Sequence, residues 1–332
     1  MKAIIPVAGK GTRLRPLTYT QPKPLIPVAG KPIISFIIEQ LIDLGVRDFV
    51  FIIGYLGEKI REYVERTYPN LTTNFVTQDD RIGSAHAIWL ARDHFVDAEE
   101  IIIFFGDAII DADLKAFSDS PTSCIGVKPV ADPRQFGVVE QDADGTIRGL
   151  IEKPNIPKSN VAMVGCYKIR EVEQFIDACS YNLQNQIRSI GEYPLTDALA
   201  RMHEWGTKIT TIPVDNWFDC GRREVLLETN AIFLGRDGFA TDDPPPYDNS
   251  IIIHPVHIGK GCDLSNSIVV PYVTLGANTK LEHAIVSDSI IGDYARIHDI
   301  VLRNSVVGND ASIGGLRQSL NIGDNTEIDF SL

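Results

Sequence analysis

Cysteine is scarce and unpaired in this sequence. The five residues Cys124, Cys166, Cys179, Cys220 and Cys262 are odd in number and lack a Cys-x-x-Cys pair, which argues against a disulfide framework or a zinc cage and fits a reducing cytoplasm. Long apolar runs are missing too. The longest, Phe49 to Ile53 and Ile101 to Phe105, fall far short of the about 20 residues a membrane-spanning helix needs and read as buried strands. No secretory leader is expected, since Pro6 interrupts the apolar start and Lys10, Arg13 and Arg15 follow at once. Acidic residues are absent from the start of the chain. The first 38 residues hold no Asp or Glu but carry Lys2, Lys10, Arg13, Arg15, Lys23 and Lys31. The whole chain has 44 acidic against 31 basic residues and a net charge of −13, which repels nucleic acid and anionic membranes at long range. A phosphate ligand therefore needs a local basic site, and the N-terminal block is the place for one.

What is present is an ordinary globular composition, 44% hydrophobic and 23% charged over 332 residues, long enough for two domains. Up to about residue 235, short β-branched runs alternate with segments of helical period, the pattern of an α/β sheet with helices on both faces. Lys2 to Val7, Phe49 to Ile53, Asn74 to Thr77 and Ile101 to Phe105 are the expected strands. Pro32 to Leu44, with Gly45 at its end, Glu58 to Tyr68 and Ser84 to Phe95 are the expected helices. Strands apolar on both faces predict a mostly parallel sheet. Trp89, Phe95 and Trp205 sit at helical spacing and are expected to pack.

Residues 236–249 include Pro244, Pro245 and Pro246 and read as a stiff linker. Beyond them a unit recurs: aliphatic, Gly, two variable positions, a small residue or Thr, one variable position, aliphatic. It fits Ile258-Gly259 with Cys262 and Leu264, Leu275-Gly276 with Thr279 and Leu281, and Ile291-Gly292 with Ala295 and Ile297. Val307-Gly308 with Ala311 and Ile313, and Ile322-Gly323 with Thr326 and Ile328, complete five. The glycines step by 17, 16, 16 and 15 residues, the period of one coil of a hexapeptide-repeat β-helix. The expected organisation is residues 1–235, a linker at 236–249 and a β-helix at 250–332. His254 and His257 are not spaced as a helical zinc pair and are expected in surface turns.

The first strand runs into Ala8-Gly9-Lys10-Gly11-Thr12-Arg13. Glycines there let successive backbone amides face an anion while the Lys and Arg add charge. A Walker loop would need Ser or Thr where Gly11 stands, and a dinucleotide fingerprint would need Gly where Leu14 stands. Both fail, and the glycines taken alone also suit a plain tight turn.

Their company is more telling. Gly9 to Thr18, Pro22-Lys23-Pro24-Leu25-Ile26-Pro27 and Gly30-Lys31-Pro32 are followed in order by Gln78, Gly83-Ser84-Ala85, Gly106-Asp107, Phe136-Gly137-Val138-Val139 and Glu152-Lys153-Pro154. Gly165-Cys166-Tyr167, Leu195-Thr196-Asp197 and Trp217-Phe218-Asp219-Cys220-Gly221 complete the set. Over residues 1–235 this resembles the sugar-phosphate nucleotidyltransferases, the NDP-sugar pyrophosphorylases. The repeat tail resembles the left-handed β-helix of longer members.

The resemblance implies a Rossmann-like catalytic domain joining a nucleoside triphosphate to a sugar 1-phosphate. It implies that Arg13 and Lys23 hold the triphosphate, with the backbone of Ala8, Gly9, Gly11 and Thr12 cradling it, and that Gln78 and Gly83 read the base. Gly137, Glu152, Lys153 and Gly165 would take the sugar phosphate, and Asp107 and Asp219 would share Mg²⁺, a hard cation suited to one or two carboxylates. Arg13, Lys23 and Asp107 are thus the expected catalytic residues. Ala8 stands where much of the family has Gly, as in bacterial glucose-1-phosphate uridylyltransferases. Phe51-Ile52-Ile53-Gly54-Tyr55 and the tail look more like the long thymidylyl- and mannose-1-phosphate guanylyltransferases. Glucose 1-phosphate with dTTP or UTP is the favoured pair. The alternatives are mannose-1-phosphate guanylyl transfer and a non-catalytic regulatory subunit binding a nucleotide sugar. A homo-oligomer assembled through the repeat region is expected, with structural roles for His283 and His298 and no acyl transfer.

Overall fold

The computed structural model describes residues 1–142 and 145–315. The chain divides into two compact units, Met1–Thr229 and Asn230–Leu332.

The first unit is built on a nine-stranded sheet. From one edge the strands run Ile147–Glu152, Gly137–Gln141, Val161–Ile169, Ile101–Phe104, Lys2–Pro6, Asp48–Ile53 and Thr72–Thr77, while Ser123–Pro129 joins Val161–Ile169 and Ile209–Pro213 joins Ser123–Pro129. The four expected strands pair parallel with one another, each within two residues of its expected start, and Ile209–Pro213 pairs parallel with Ser123–Pro129. Val161–Ile169 pairs antiparallel with three neighbours. Alternation along the central strands divides the core in two. Ile4, Val50, Ile52, Ile101 and Ile103 face one cluster, which includes residues of the helices Ser84–Leu90, Val172–Gln184 and Leu195–Glu204. Ala3, Ile5, Phe49, Phe51 and Phe104 face the other, under Ile33–Asp43 and Gly57–Thr67. Each fully buried Ile or Phe contributes roughly 1.5–3 kcal/mol.

Helix ends follow local chemistry. The helix Ile33–Asp43 begins one residue later than expected, with Pro32 as its N-cap in extended conformation. Gly45, at φ 91°, closes it: its amide donates to Ile42 and that of Val46 to Leu41, the two bonds of a Schellman cap. The expected helix Ser84 to Phe95 ends at Leu90 and continues as a 3₁₀ turn, Arg92–His94. Phe95 is fully buried, and Trp89 packs on the same core with its indole N–H donating to Ser180. Trp205 is 42% exposed against Tyr181, so only two of the three aromatics are core.

The second unit is a parallel β-helix, consistent with the left-handed type. Val256 pairs with Val273, Thr274 with Ile290 and Ile290 with Val306. Leu264, Leu281, Ile297 and Ile313 stack on a second face, so the repeat seen in the sequence is the coil-to-coil register. A Cβ on Gly259 would lie 2.6 Å from the Ala277 amide, and one on Gly276 would lie 2.5 Å from the Asp293 amide. The repeat glycine is therefore set by the next coil pressing on it. The fifth unit, Ile322 to Ile328, lies outside the described residues. His254 is exposed as expected, but His257 is half-buried in the strand Val256–Ile258, its Nδ1 3.2 Å from the Phe239 carbonyl, and burial lowers its pKa.

Candidate active site

Strand order locates the site. The chain moves from Lys2–Pro6 outward through Asp48–Ile53 to Thr72–Thr77, then returns to pair Ile101–Phe104 on the other side of Lys2–Pro6. Open α/β sheets bind ligands at such a reversal, beyond the carboxyl ends of the strands. The Val7–Gly11 loop leaves one of these ends, Asp107 follows another, and Gln78 follows a third.

Close packing shapes the loop. A Cβ on Gly106 would fall 2.2 Å from Val7 Cγ1, and one on Gly54 would fall 2.9 Å from both Cβ and the carbonyl oxygen of Ala8. Gly11 adopts φ 61°, and a side chain there would meet Thr18 at 3.0 Å and Lys23 at 3.1 Å. Gly9 differs, because an added Cβ meets nothing within 4 Å. Lys10 is exposed and lines neither cavity described below. Of the N-terminal basic block, Arg13 and Lys23 are the side chains that line the site.

Lys23 is the buried cation of this centre, its side chain 8% exposed. Its ammonium lies 3.2 Å from Asp107 Oδ2 and 3.6 Å from Asp219 Oδ1, so two carboxylates more than a hundred residues apart reach a single positive charge. Gly221 permits the approach, since a Cβ there would meet Asp219 Oδ1 at 3.0 Å and Lys23 Nζ at 3.4 Å. Burial pushes the neighbouring Cys220 thiol up to about 12, which rules it out as a thiolate nucleophile at neutral pH. Among the described residues no group of three or more His, Cys, Asp or Glu is arranged to hold a metal. Two carboxylates converging on one cation nevertheless suit Mg²⁺, which keeps waters and takes further oxygens from substrate phosphates.

Two cavities meet at this centre. The first, about 470 Å³, is lined by Ala8, Gly9, Gly11, Thr12, Arg13, Lys23, Gln78 and Gly83, all eight residues expected on the nucleotide side. The second, about 680 Å³, is lined by Gly137, Glu152, Lys153 and Gly165, all four expected on the sugar-phosphate side. Arg13, Asp107 and Asp219 line both.

On the nucleotide side Gln78 is 5% exposed, and its Nε2 donates to the Gly83 carbonyl at 3.1 Å. Burial lowers the pKa of nearby His86, which favours the neutral ring. Gly83, at φ 128°, is pressed on the backbone of Tyr193, whose nitrogen and oxygen would lie 2.4 and 2.2 Å from an added Cβ. Reciprocal bonds, Ala85 N–H to Tyr193 O and Tyr193 N–H to Ile82 O, zip the two segments together. On the sugar side Glu152 accepts from the Thr196 hydroxyl at 2.6 Å and lies 3.6 Å from Lys153 Nζ. A Cβ on Gly137 would strike Met163 at 2.2 Å and Thr196 at 2.6 Å. Gly165, at φ 87°, passes over Phe105.

Sequence reading missed several lining residues. Arg81 lines the first cavity and donates through Nε to the Ala8 carbonyl at 3.0 Å, while Glu192 lies on the same wall. Asp132, Gln135, Trp217 and Arg222 line the second. Only Trp217 belongs to a quoted motif. For Arg222 the available signal was its place directly after Asp219-Cys220-Gly221.

The model of the nucleotidyl transferase family matches residues 2–235. The chain belongs to that family. It is 30% identical to the glucose-1-phosphate thymidylyltransferase of Streptomyces antibioticus, over 100% of this chain and 94% of the relative. It is 34% identical to the UTP–glucose-1-phosphate uridylyltransferase AglF of Haloferax volcanii, over 65% of this chain and 89% of the relative. A crystal structure of UDP-glucose pyrophosphorylase complexed with UDP-glucose superposes with a TM-score of 0.61, covering 70% of this chain and 97% of that one. Its sequence is 21% identical, so the likeness speaks for the fold alone.

Proposed function

We propose that the chain forms an NDP-sugar and pyrophosphate from a nucleoside triphosphate and a sugar 1-phosphate, with glucose 1-phosphate and dTTP or UTP as the pair. The observation that carries this reading is the meeting of two cavities at Arg13, Asp107 and Asp219. Full-length similarity to a thymidylyltransferase supports it.

In this reading a phosphate oxygen of the sugar 1-phosphate bonds to the α-phosphorus as the bond to the β-phosphate's bridging oxygen breaks. Pyrophosphate leaves with that electron pair. The attacking phosphate, whose second pKa is about 6, is already anionic at neutral pH, so no general base is needed and catalysis is positioning and charge neutralisation. Arg13 and Lys23 hold the triphosphate and stabilise the leaving group, with the amides of Gly9, Gly11 and Thr12 around it. Lys153 holds the sugar phosphate and Glu152 accepts sugar hydroxyls, its carboxylate oriented by Thr196. Asp107 and Asp219 would hold Mg²⁺, which when bound neutralises charge on both substrates' phosphates. Gln78, whose Nε2 donates to the Gly83 carbonyl and lies 3.4 Å from His86 Nδ1, keeps its carbonyl oxygen as an acceptor for the imide N–H of uracil or thymine.

Residues 1–235 are the catalytic domain in this reading, 236–249 a linker and 250–332 the β-helix, which assembles a homo-oligomer in the cytoplasm. Among the described residues no helix is long and apolar enough to cross a membrane. The test is a panel of nucleoside triphosphates against sugar 1-phosphates followed by pyrophosphate release. Fastest turnover with glucose 1-phosphate and dTTP or UTP is expected. Fastest turnover with mannose 1-phosphate and GTP would replace the substrate assignment, and no turnover with any pair would leave the regulatory reading.

A further inference from the structure

We propose that Arg222 binds the 1-phosphate of the acceptor sugar alongside Lys153 and sets the enzyme's affinity for that substrate. The proposal rests on the function proposed above. Four features of the second cavity lead to it.

First, an incoming sugar phosphate carries a charge of about −1.5 to −2 at pH 7, and it must enter a cavity already lined by carboxylates. Besides Asp107 and Asp219, these are Asp132 and Glu152. Asp132 is held by Arg134, through Nε at 2.8 Å and Nη2 at 2.7 Å, and is neutralised there. Glu152 lies 3.6 Å from Lys153, so the charge of the lysine expected to take the phosphate is already shared. One partly compensated ammonium is a poor match for a dianion.

Second, Arg13 and Arg222 are the remaining cations of this lining, and among the described residues neither guanidinium is in a hydrogen bond or ion pair. Arg13 lines both cavities and is assigned to the triphosphate. Arg222 lines only the second; its charge acts weakly on exposed Glu224 but is shared with no group of the triphosphate cavity.

Third, its backbone is fixed beside the reaction centre. Gly221, the preceding residue, abuts both Asp219 and Lys23, and its amide donates to the Asp219 carbonyl at 2.7 Å. The Arg222 carbonyl accepts from the Leu226 amide at 2.9 Å, at the start of the helix Arg223–Leu234. The stem thus leaves a point pinned on both sides.

Fourth, a guanidinium presents a planar fork that grips two phosphate oxygens at once, which an ammonium does not. Such a grip orients the phosphate for in-line attack as well as binding it.

The experiment is steady-state kinetics on the full chain with glucose 1-phosphate and dTTP varied in turn. Arg222→Ala is expected to raise KM for glucose 1-phosphate about tenfold or more, the loss of a charge-assisted contact, while KM for dTTP stays within about twofold. Arg222→Lys should recover part of the loss. Arg222→Gln, which keeps length and removes charge, should behave as Ala, and all three should melt with the wild type because the side chain is exposed and, among the described residues, makes no hydrogen bond. An unchanged KM for glucose 1-phosphate in Arg222→Ala and Arg222→Gln, or an equal rise in both KM values, overturns the assignment while the proposed function stands. Wild-type protein that turns over no pair of substrates overturns both.

Discussion

The glycines of the two units answer to different neighbours. In the β-helix Gly259, Gly276 and Gly292 meet one obstacle three times, the turn of the next coil at 2.4–2.6 Å from an added Cβ. In the sheet unit Gly54 is blocked by Ala8, Gly83 by the Tyr193 backbone and Gly137 by Met163 and Thr196. Gly9 is blocked by nothing. A repeated fold needs one reason repeated at a fixed period. A site built where chain segments converge needs a separate reason at each glycine, and at Gly9, where packing supplies none, the proposed reading assigns it to a ligand approaching the backbone. Period therefore reveals the second unit, and only an ordered set of dissimilar motifs reveals the first.

The sharpest way to separate the units is to remove the charged centre of one of them. Asp107→Ala or Asp219→Ala should lower turnover by about 10²-fold or more, since each removes a carboxylate that the proposed reading assigns to the cation at developing phosphate charge. Both carboxylates are partly solvent-exposed, 57% and 33%, so the melting transition should remain cooperative. Chelation by EDTA should abolish turnover of the wild type and Mg²⁺ should restore it. Near-normal turnover in both variants would dismiss the metal assignment.

Within the site, the two cavities should come apart kinetically by about 10- to 100-fold. Arg13→Ala should slow pyrophosphate formation more than it raises KM for the sugar phosphate, because the proposed reading sets Arg13 against the leaving group. Lys153→Ala should do the reverse. Calorimetry showing normal sugar-phosphate binding by Lys153→Ala would remove that residue from the second cavity's function.

The glycine comparison predicts a crossed pair of effects. Gly276→Ala forces a Cβ to 2.5 Å from the Asp293 amide and should cost the β-helix about 1–3 kcal/mol in urea unfolding, with turnover retained. Gly9→Ala should leave stability within about 0.5 kcal/mol and raise KM for the nucleoside triphosphate. If both variants lose stability alike, Gly9 is a packing residue and the cradle reading fails.

Much of this site was legible because its chemistry sits at chain positions with unusual residue order. The eight residues assigned to the nucleotide line one cavity and the four assigned to the sugar phosphate line the other. Parallel strands buried on both faces were legible because they are continuously apolar, as in Ile101–Phe104, whereas the parallel strand Ile209–Pro213, with Thr210 and Thr211 at its centre, was not singled out. The antiparallel strands were not singled out: Ile147–Glu152 mixes buried and exposed positions around Arg148 and Gly149, a pattern without strong period. Lys10 shows the opposite failure. It shares a loop with Arg13 and both side chains are exposed, but only Arg13 lines the two cavities, and no rule of spacing separates them. Arg81 and Arg222 were hidden because a single arginine near a turn carries no pattern; only the folded wall shows what it lines.

The smallest expected effect concerns the outer face of the β-helix. Ile251, Ile268, Ile285 and Val301 stack in register, and Ile251, Ile285 and Val301 are 57%, 41% and 68% exposed. An aliphatic ladder on a flat β surface is costly to leave in water, and a second copy of the chain is the partner that the assembly reading assigns to it. Charges placed in the ladder should then break the assembly without touching the interior, which is held by Leu264, Leu281 and Ile297. Ile285→Lys combined with Val301→Lys should lower the mass seen by light scattering, shift the thermal midpoint by no more than a few degrees, and leave turnover per chain within about twofold. Turnover is expected to survive because the ladder supplies no residue to either cavity. An unchanged mass would show that this face is not where the copies meet.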